Sequence, residues 1–271
     1  MRGKVVAVNG PIVQAVGLTG IKMFDIAEVG PDRLIGEVIR LNGTIAIIQV
    51  YEDNTGLKPG DEVMSYARPL SVLLGPGLIA NIYDGIQRPL VGISEECGSY
   101  IKKGIKLSPL DMNRKWEFQP LARTGTDVRE GAILGEIRES PLVVHRLLVP
   151  PGIYGRLTAI VHEGNYTIED EIYTIETGAR QYSGKLAVYW PVRKPRPSLS
   201  RKRPLVPLIT GQRIIDTFFP IARGGTAAIP GGFGTGKTMT QHALAKWCNA
   251  DIIVYIGCGE RGNEMTDVLT D

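Results

Sequence analysis

Near its C-terminal end the chain carries Gly231-Gly232-Phe233-Gly234-Thr235-Gly236-Lys237-Thr238, which fits G-x-x-x-x-G-K-[ST] at every fixed position. The pattern is that of a phosphate-binding P-loop. Its chemistry needs glycines because successive backbone N–H groups must turn inward around a phosphate, and side chains would block that approach. Lys237 would reach the β- and γ-phosphates. Thr238 would open the following helix, whose free N-terminal donors favour an anion, and its hydroxyl could sit on Mg²⁺. The competing reading is a glycine-rich surface loop, but a chance match in a chain of this length arises about 1 per cent of the time.

The flanking residues favour the phosphate cradle. Thr226-Ala227-Ala228-Ile229, stopped by Pro230, reads as a short strand feeding the loop. Met239, Ala243, Trp247 and Ala250 recur at helical spacing and are expected to pack in a core. Ile252-Ile253-Val254-Tyr255-Ile256 is a continuous apolar run, expected to be a parallel strand covered on both faces. The unit thus reads strand, P-loop, helix, strand, the start of an α/β nucleotide-binding domain.

The chain upstream of that unit is β-rich. From Val5 to Val63 short apolar runs alternate with the turn signals Asn9-Gly10-Pro11, Gly30-Pro31-Asp32, Asn42-Gly43 and Lys58-Pro59-Gly60-Asp61. Asn42-Gly43 marks a hairpin, and closely spaced strands with no helical pattern between them predict a small β-barrel over residues 1–69. Its carboxylates, Asp25, Glu28, Glu37, Glu52, Asp53, Asp61 and Glu62, read as solvated surface. Residues 70–116 read as a connector, with at most a short helix at Ile79–Tyr83 and solvated charges at Glu95-Glu96 and Lys102-Lys103. A second β-module is predicted over 117–187. Its histidines, His145 and His162, have no partner at ligand spacing, which argues against a metal. Residues 188–271 begin with a proline-rich basic run, Tyr189 to Pro207, read as a stiff solvated connector, and a short helix over Ile214–Phe219 ended by Pro220.

Composition narrows the function classes. A net charge of +3 demands neither nucleic acid nor an acidic partner. Cys97, Cys248 and Cys258 are widely spaced and odd in number, which points to a reducing, cytoplasmic compartment. No apolar stretch approaches the ~18 residues of a spanning helix, so membrane association is expected only through other subunits.

Beyond the last apolar run lies Gly257-Cys258-Gly259-Glu260-Arg261-Gly262-Asn263-Glu264. Parallel strands present their C-terminal ends to the ligand crevice, which would place Glu260 near the phosphates held by Lys237. A carboxylate there suits the orientation of an attacking water, and Arg261 could contact a phosphate oxygen. Spacing alone leaves Glu260 equally open to a helix-start role, and Glu264 reads as a surface or capping residue.

Trp190-Pro191-Val192-Arg193, Pro207 to Arg213, Gly224 to Gly231, the P-loop and Gly257 to Met265 together resemble the catalytic A subunit of archaeal and bacterial V/A-type rotary ATPases. So do Gly75-Pro76-Gly77-Leu78, Asp84 to Leu90 and the inserted β-module, and the resemblance covers the whole chain. It implies a multidomain architecture: β-barrel, inserted β-module, and the start of a P-loop α/β domain of RecA-like, parallel-sheet type. It implies ATP or ADP with Mg²⁺ as ligands, Lys237 and Thr238 on phosphates and metal, Glu260 positioning the hydrolytic water and Arg261 near the γ-phosphate. The implied activity is ATP hydrolysis or synthesis coupled to proton or sodium transport. The implied partners are B subunits alternating in an A3B3 hexamer, whose arginine completes each site, typically worth ~10³ to 10⁵ in rate, together with central and peripheral stalk subunits. The implied location is peripheral, at the cytoplasmic face of the membrane, with no nucleic acid partner. Two other readings share the P-loop and barrel: a hexameric translocase motor, and a nucleotide-binding or assembly module without catalysis.

Two departures from the family stand out. Gly232 replaces the usual proline and Thr235 the usual serine or alanine. The family also continues past the position of Asp271 with an acidic metal ligand, an adenine pocket and a helical domain. The chain as given is therefore expected to be inactive as an ATPase on its own.

Overall fold

The computed structural model describes all residues except Ala179, Pro197, Leu199, Arg201, Phe233, Arg261, Asn263, Glu264 and 268–271. It divides into two units, 1–197 and 198–271.

The first unit opens with six strands: β1 (Arg2–Asn9), β2 (Ile12–Val16), β3 (Asp25–Val29), β4 (Leu34–Asn42), β5 (Ile45–Val50) and β6 (Glu62–Pro69). They close into an antiparallel barrel in the order β1-β2-β5-β4-β3-β6, which leaves no free edge. Alternate residues fill its interior: Val5, Val13, Ala15, Ala27, Val29, Leu34, Val38, Ala46, Ile48 and Val63 are all buried in one cluster. The hairpin anticipated at Asn42-Gly43 is present, with its turn one residue later. Asn42 pairs with Ile45, so Gly43 and Thr44 are the loop residues. Gly43 takes φ +58°, which suits a two-residue loop with glycine at its first central position.

The expectation that the barrel carboxylates are all solvated is overturned. Asp25 and Glu37 are 4% and 2% exposed. Asp25 accepts the Lys22 amide at 2.8 Å, which offsets part of its desolvation. Glu37 lies between core-facing Gly36 and Val38 on β4, so the pleat turns it to the outer face of the barrel. Its burial there comes from cover laid over it: Tyr51 donates its hydroxyl at 3.0 Å and Arg193 its guanidinium at 2.7 Å, both to Oε2. Burial and the Glu37 hydrogen bond push the Tyr51 phenol up to about 12.

After β7 (Ser71–Leu74) the connector reaches α1 (Leu90–Cys97), a helix absent from the sequence expectation, while Ile79–Tyr83 forms none. Eight residues with a single buried side chain, Ile93, give too short a periodic signal to read. The helix stops at Gly98, whose φ of +71° closes its end as the amide returns to Ser94 O. Glu95 and Glu96 are exposed, as anticipated.

The second β-module comprises β8 (Trp116–Pro120), β9 (Asp127–Val128), β10 (Ile133–Arg138), β11 (Val144–Leu148), β12 (Gly155–Ile160), β13 (Gly164–Tyr166), β14 (Glu171–Thr177) and β15 (Arg180–Lys185). They form two four-stranded sheets, β11-β10-β8-β13 and β15-β14-β12-β9. Phe118, Leu134, Ile137, Leu157, Ile172 and Ile175 project from both sheets into one buried core. The basic run that follows is a structured part of this unit at its start, contrary to the reading as a solvated linker. β16 (Val188–Pro191) pairs with β7, Trp190 is buried, and Arg196 stacks on its ring at 4.2 Å.

The second unit holds β17 (Pro207–Leu208), α2 (Arg213–Phe218), β18 (Ile221–Ala222) and α3 (Lys237–Trp247). The helix expected before Pro220 is α2, and β17 pairs with β18. Two expectations fail here. Thr226–Ile229 and Ile252–Ile256 join no sheet among the described residues. Met239 and Trp247 on α3 are 70% and 65% exposed and Val254 76%, so the stripe and the run face outward and are not core. A parallel strand needs a neighbouring strand to pair with and cover on both faces. Among the described residues of this unit, no strand pairs with either segment.

Candidate functional site

The P-loop is built from its glycines. Gly234 and Gly236 adopt φ +74° and +82°, left-handed conformations that side-chain-bearing residues reach only with strain. Gly236 is the residue before the helix, and α3 begins at Lys237, so the fixed Gly-Lys-Thr triplet lies across a helix start. A Cβ placed on Gly234 or Gly236 would meet nothing within 4 Å, leaving open space along the loop backbone of the kind a phosphate would fill.

Local hydrogen bonds hold the loop's shape. Thr235 Oγ1 donates to Gly232 O at 2.9 Å, and the Lys237 ammonium donates to Gly231 O, so the helix start reaches back to the loop's first residue. Thr240 donates both its amide and its hydroxyl to Gly236 O at 2.9 Å, fixing the first turn. The far end of α3 is anchored too. Asn249 donates its amide to Ile209 O at 2.9 Å and accepts the Ile209 amide on Oδ1 at 3.0 Å.

Gly231, Gly232, Gly234, Thr235, Gly236, Lys237 and Thr238 are thus brought together as one loop and helix start, while Phe233 lies outside the described residues. Glu260 follows the 252–256 run on an exposed stretch. That run meets α3 through Tyr255 and His242, whose rings contact edge to face with centroids 5.7 Å apart. Arg261 and Glu264 lie outside the described residues.

The sequence reading missed a supporting device. Asp216, in the first turn of α2, accepts the Thr210 amide at 2.9 Å, the Thr210 hydroxyl at 2.8 Å and the Gly211 amide at 3.1 Å. Those hydrogen bonds, the Thr210 backbone first, hold its carboxyl below the usual range. The signal was Thr210-Gly211, six and five residues ahead of Asp216 in the first turn of the helix, where a carboxylate can reach back to hydroxyl and amide donors. Among the described residues no group of three or more His, Cys, Asp or Glu is placed to hold a metal, and no helix is long and apolar enough to cross a membrane. In a P-loop the metal is held by the threonine or serine hydroxyl, phosphate oxygens and a further acidic ligand, so Thr238 would supply one donor to Mg²⁺ arriving with a nucleotide.

Comparison with known proteins places the chain in one family along its whole length. Residues 5–65 match the ATP synthase alpha/beta family beta-barrel domain, 107–193 the alpha/beta subunit barrel-sandwich domain, and 211–271 the alpha/beta family nucleotide-binding domain. The V-type ATP synthase alpha chain of Halothermothrix orenii is 52% identical over 271 residues, all of this chain and 46% of that protein. The A subunit of the A-type ATP synthase from Methanopyrus kandleri is 52% identical over 272 residues, again all of this chain and 46% of the relative. The chain therefore spans about half the length of the curated relatives it matches. Among solved structures, the assembled ATPase EscN of the enteropathogenic E. coli type III secretion system aligns over 99% of this chain and 44% of its own, with a TM-score of 0.55 at 18% identity, a likeness of fold alone. With its barrel, its sandwich and its P-loop each matched in order, and half of its residues shared with A-type and V-type subunits, the chain belongs to the ATP synthase alpha/beta family, on the branch of the V/A-type alpha (A) subunit.

Proposed function

We propose that this chain carries the phosphate-binding half of the catalytic site of a V/A-type ATPase or ATP synthase. The observation behind this reading is the register of the loop: left-handed Gly234 and Gly236 immediately before a helix that starts at Lys237. In that register the amides of the loop and of the first turn of α3 bind the phosphates of ATP or ADP, aided by the positive end of the helix. Lys237 exchanges its contact with Gly231 O for the β- and γ-phosphates. Thr238 holds Mg²⁺, which supplies charge neutralisation at the transferred phosphoryl group. Glu260 orients the attacking water and Arg261 contacts the γ-phosphate. The protein works with B subunits in an A3B3 head joined to central and peripheral stalks, peripheral to the membrane on its cytoplasmic face, and drives or is driven by proton or sodium transport in the membrane sector. Nucleic acid has no part in it.

Binding of a fluorescent ATP analogue to the purified chain, with Mg²⁺, tests the cradle. Saturable binding abolished by Lys237→Ala is expected, and no binding by the unmodified chain would sink the reading. ATP turnover measured with and without a B-type partner tests the second part, with none expected from the chain alone.

A further inference from the structure

The segment that leaves the sandwich, residues 190–196, grips both β-domains of the first unit. The Arg193 guanidinium reaches Glu37 on the barrel at 2.7 Å and lies over the Phe24 ring at 4.4 Å. The next residue, Lys194, reaches Glu130 on the sandwich at 2.9 Å. Glu130 is itself held by the Gly152 amide at 2.9 Å. Backbone bonds complete the hold: Val192 donates to Leu70 O at 3.0 Å, Lys194 to Pro191 O at 3.0 Å, and the Trp190 indole to Lys194 O at 2.7 Å. Glu37 is the informative member. It sits on the outer wall of the barrel, where a carboxylate would ordinarily be solvated, yet it is 2% exposed and its Oε1 has no partner. Burying a charge in that way is unfavourable unless a partner offsets it, and the cationic partner comes from 156 residues further along the chain.

We propose that Arg193 and Lys194 form a two-way strap that clamps the barrel to the sandwich. The inference stands on the first unit alone and does not depend on the P-loop binding nucleotide. The strap predicts local protection. In amide hydrogen exchange of the full chain, Val192 and Lys194 exchange slowly. Arg193→Met keeps the stem over Phe24 and removes the ion pair, and it should speed both amides at least tenfold while leaving Ile48 in the barrel and Ile175 in the sandwich unchanged. Unchanged exchange at Val192 and Lys194 would overturn the strap. Equal acceleration at Ile48 would overturn it too, because it would mark a general loss of stability.

Trypsin gives an independent reading. Lys194 and Arg196 precede prolines and resist cleavage, so the Arg193–Lys194 bond is the one that reports. It should be cut at least tenfold more slowly than the bond after exposed Lys202, and Glu37→Gln should largely erase that difference. Equal rates in the unmodified chain would refute the strap. If Glu37→Gln does not fold, the exchange measurement on Arg193→Met decides.

Discussion

Arg88 and Glu52 stand 36 positions apart and meet at 2.8 Å, joining the connector to the barrel. The same guanidinium binds Asp84 through Nε at 2.7 Å, and Glu52 also accepts the Gly104 amide at 3.1 Å. All three side chains are largely buried. Removing the cation would leave two carboxylates in a poorly solvated place, which typically costs about 3–5 kcal/mol. Arg88→Met should lower the stability of the first unit by that amount in urea unfolding. Arg88→Lys keeps the charge but not the two-pronged geometry, and should fall between the two.

Acid should loosen the sandwich through His145. Burial first, and the nearby Arg196 charge second, hold its imidazole down at about 4. The folded state then binds a proton less readily than the unfolded chain, whose histidine titrates near the usual 6.5. Stability contributed by the neutral ring is present above about pH 6.5 and lost as the pH falls towards 4, by at most about 3 kcal/mol. His145→Gln should flatten that part of the stability profile measured by thermal unfolding from pH 7 to pH 4. An unaltered slope would show that other groups carry it.

The sandwich also contains a position that admits no side chain. A Cβ on Gly135 would lie 2.4 Å from the Phe118 ring and 2.6 Å from Gln119 O. Phe118 is fully buried at the centre of the core and cannot retreat. Gly135→Ala should therefore cost about 1–3 kcal/mol by overpacking, read as a lowered urea midpoint with the slope unchanged.

Gly232 offers the opposite case. Nothing lies within 4 Å of its Cβ position, and its φ is outside the left-handed range. Gly232→Ala should restrict the free loop without touching its donors, worth about 0.4–1 kcal/mol. If the loop binds nucleotide as proposed, titration with the fluorescent ATP analogue should show a dissociation constant roughly two- to fivefold lower.

The barrel was legible because its turns are spelled in Asn, Gly, Pro and Asp and its strands alternate, so local chemistry and fold agree. The P-loop was legible for a similar reason, since its glycines answer a backbone demand made within eight residues. What escaped reading depends on distance along the chain. Glu37 and Glu52 look like surface carboxylates until Arg193 and Arg88 arrive from elsewhere. The basic run after Trp190 looked like a solvated linker for want of the same partners. Ile252–Ile256 has the composition of a buried strand, but burial is a property of neighbours, and Ile252, Ile253, Val254 and Ile256 are all exposed. Glu260 was placed by the rule for parallel sheets, and the 252–256 run before it joins no sheet among the described residues.

Every buried apolar side chain among the described residues lies at or before Trp190. Heat absorbed on unfolding scales with the surface a transition exposes, so calorimetry of this chain should record the melting of its first 197 residues and almost nothing from the rest. During synthesis the order is the same. The barrel and sandwich leave the ribosome before the segment bearing Lys237 and can condense without it.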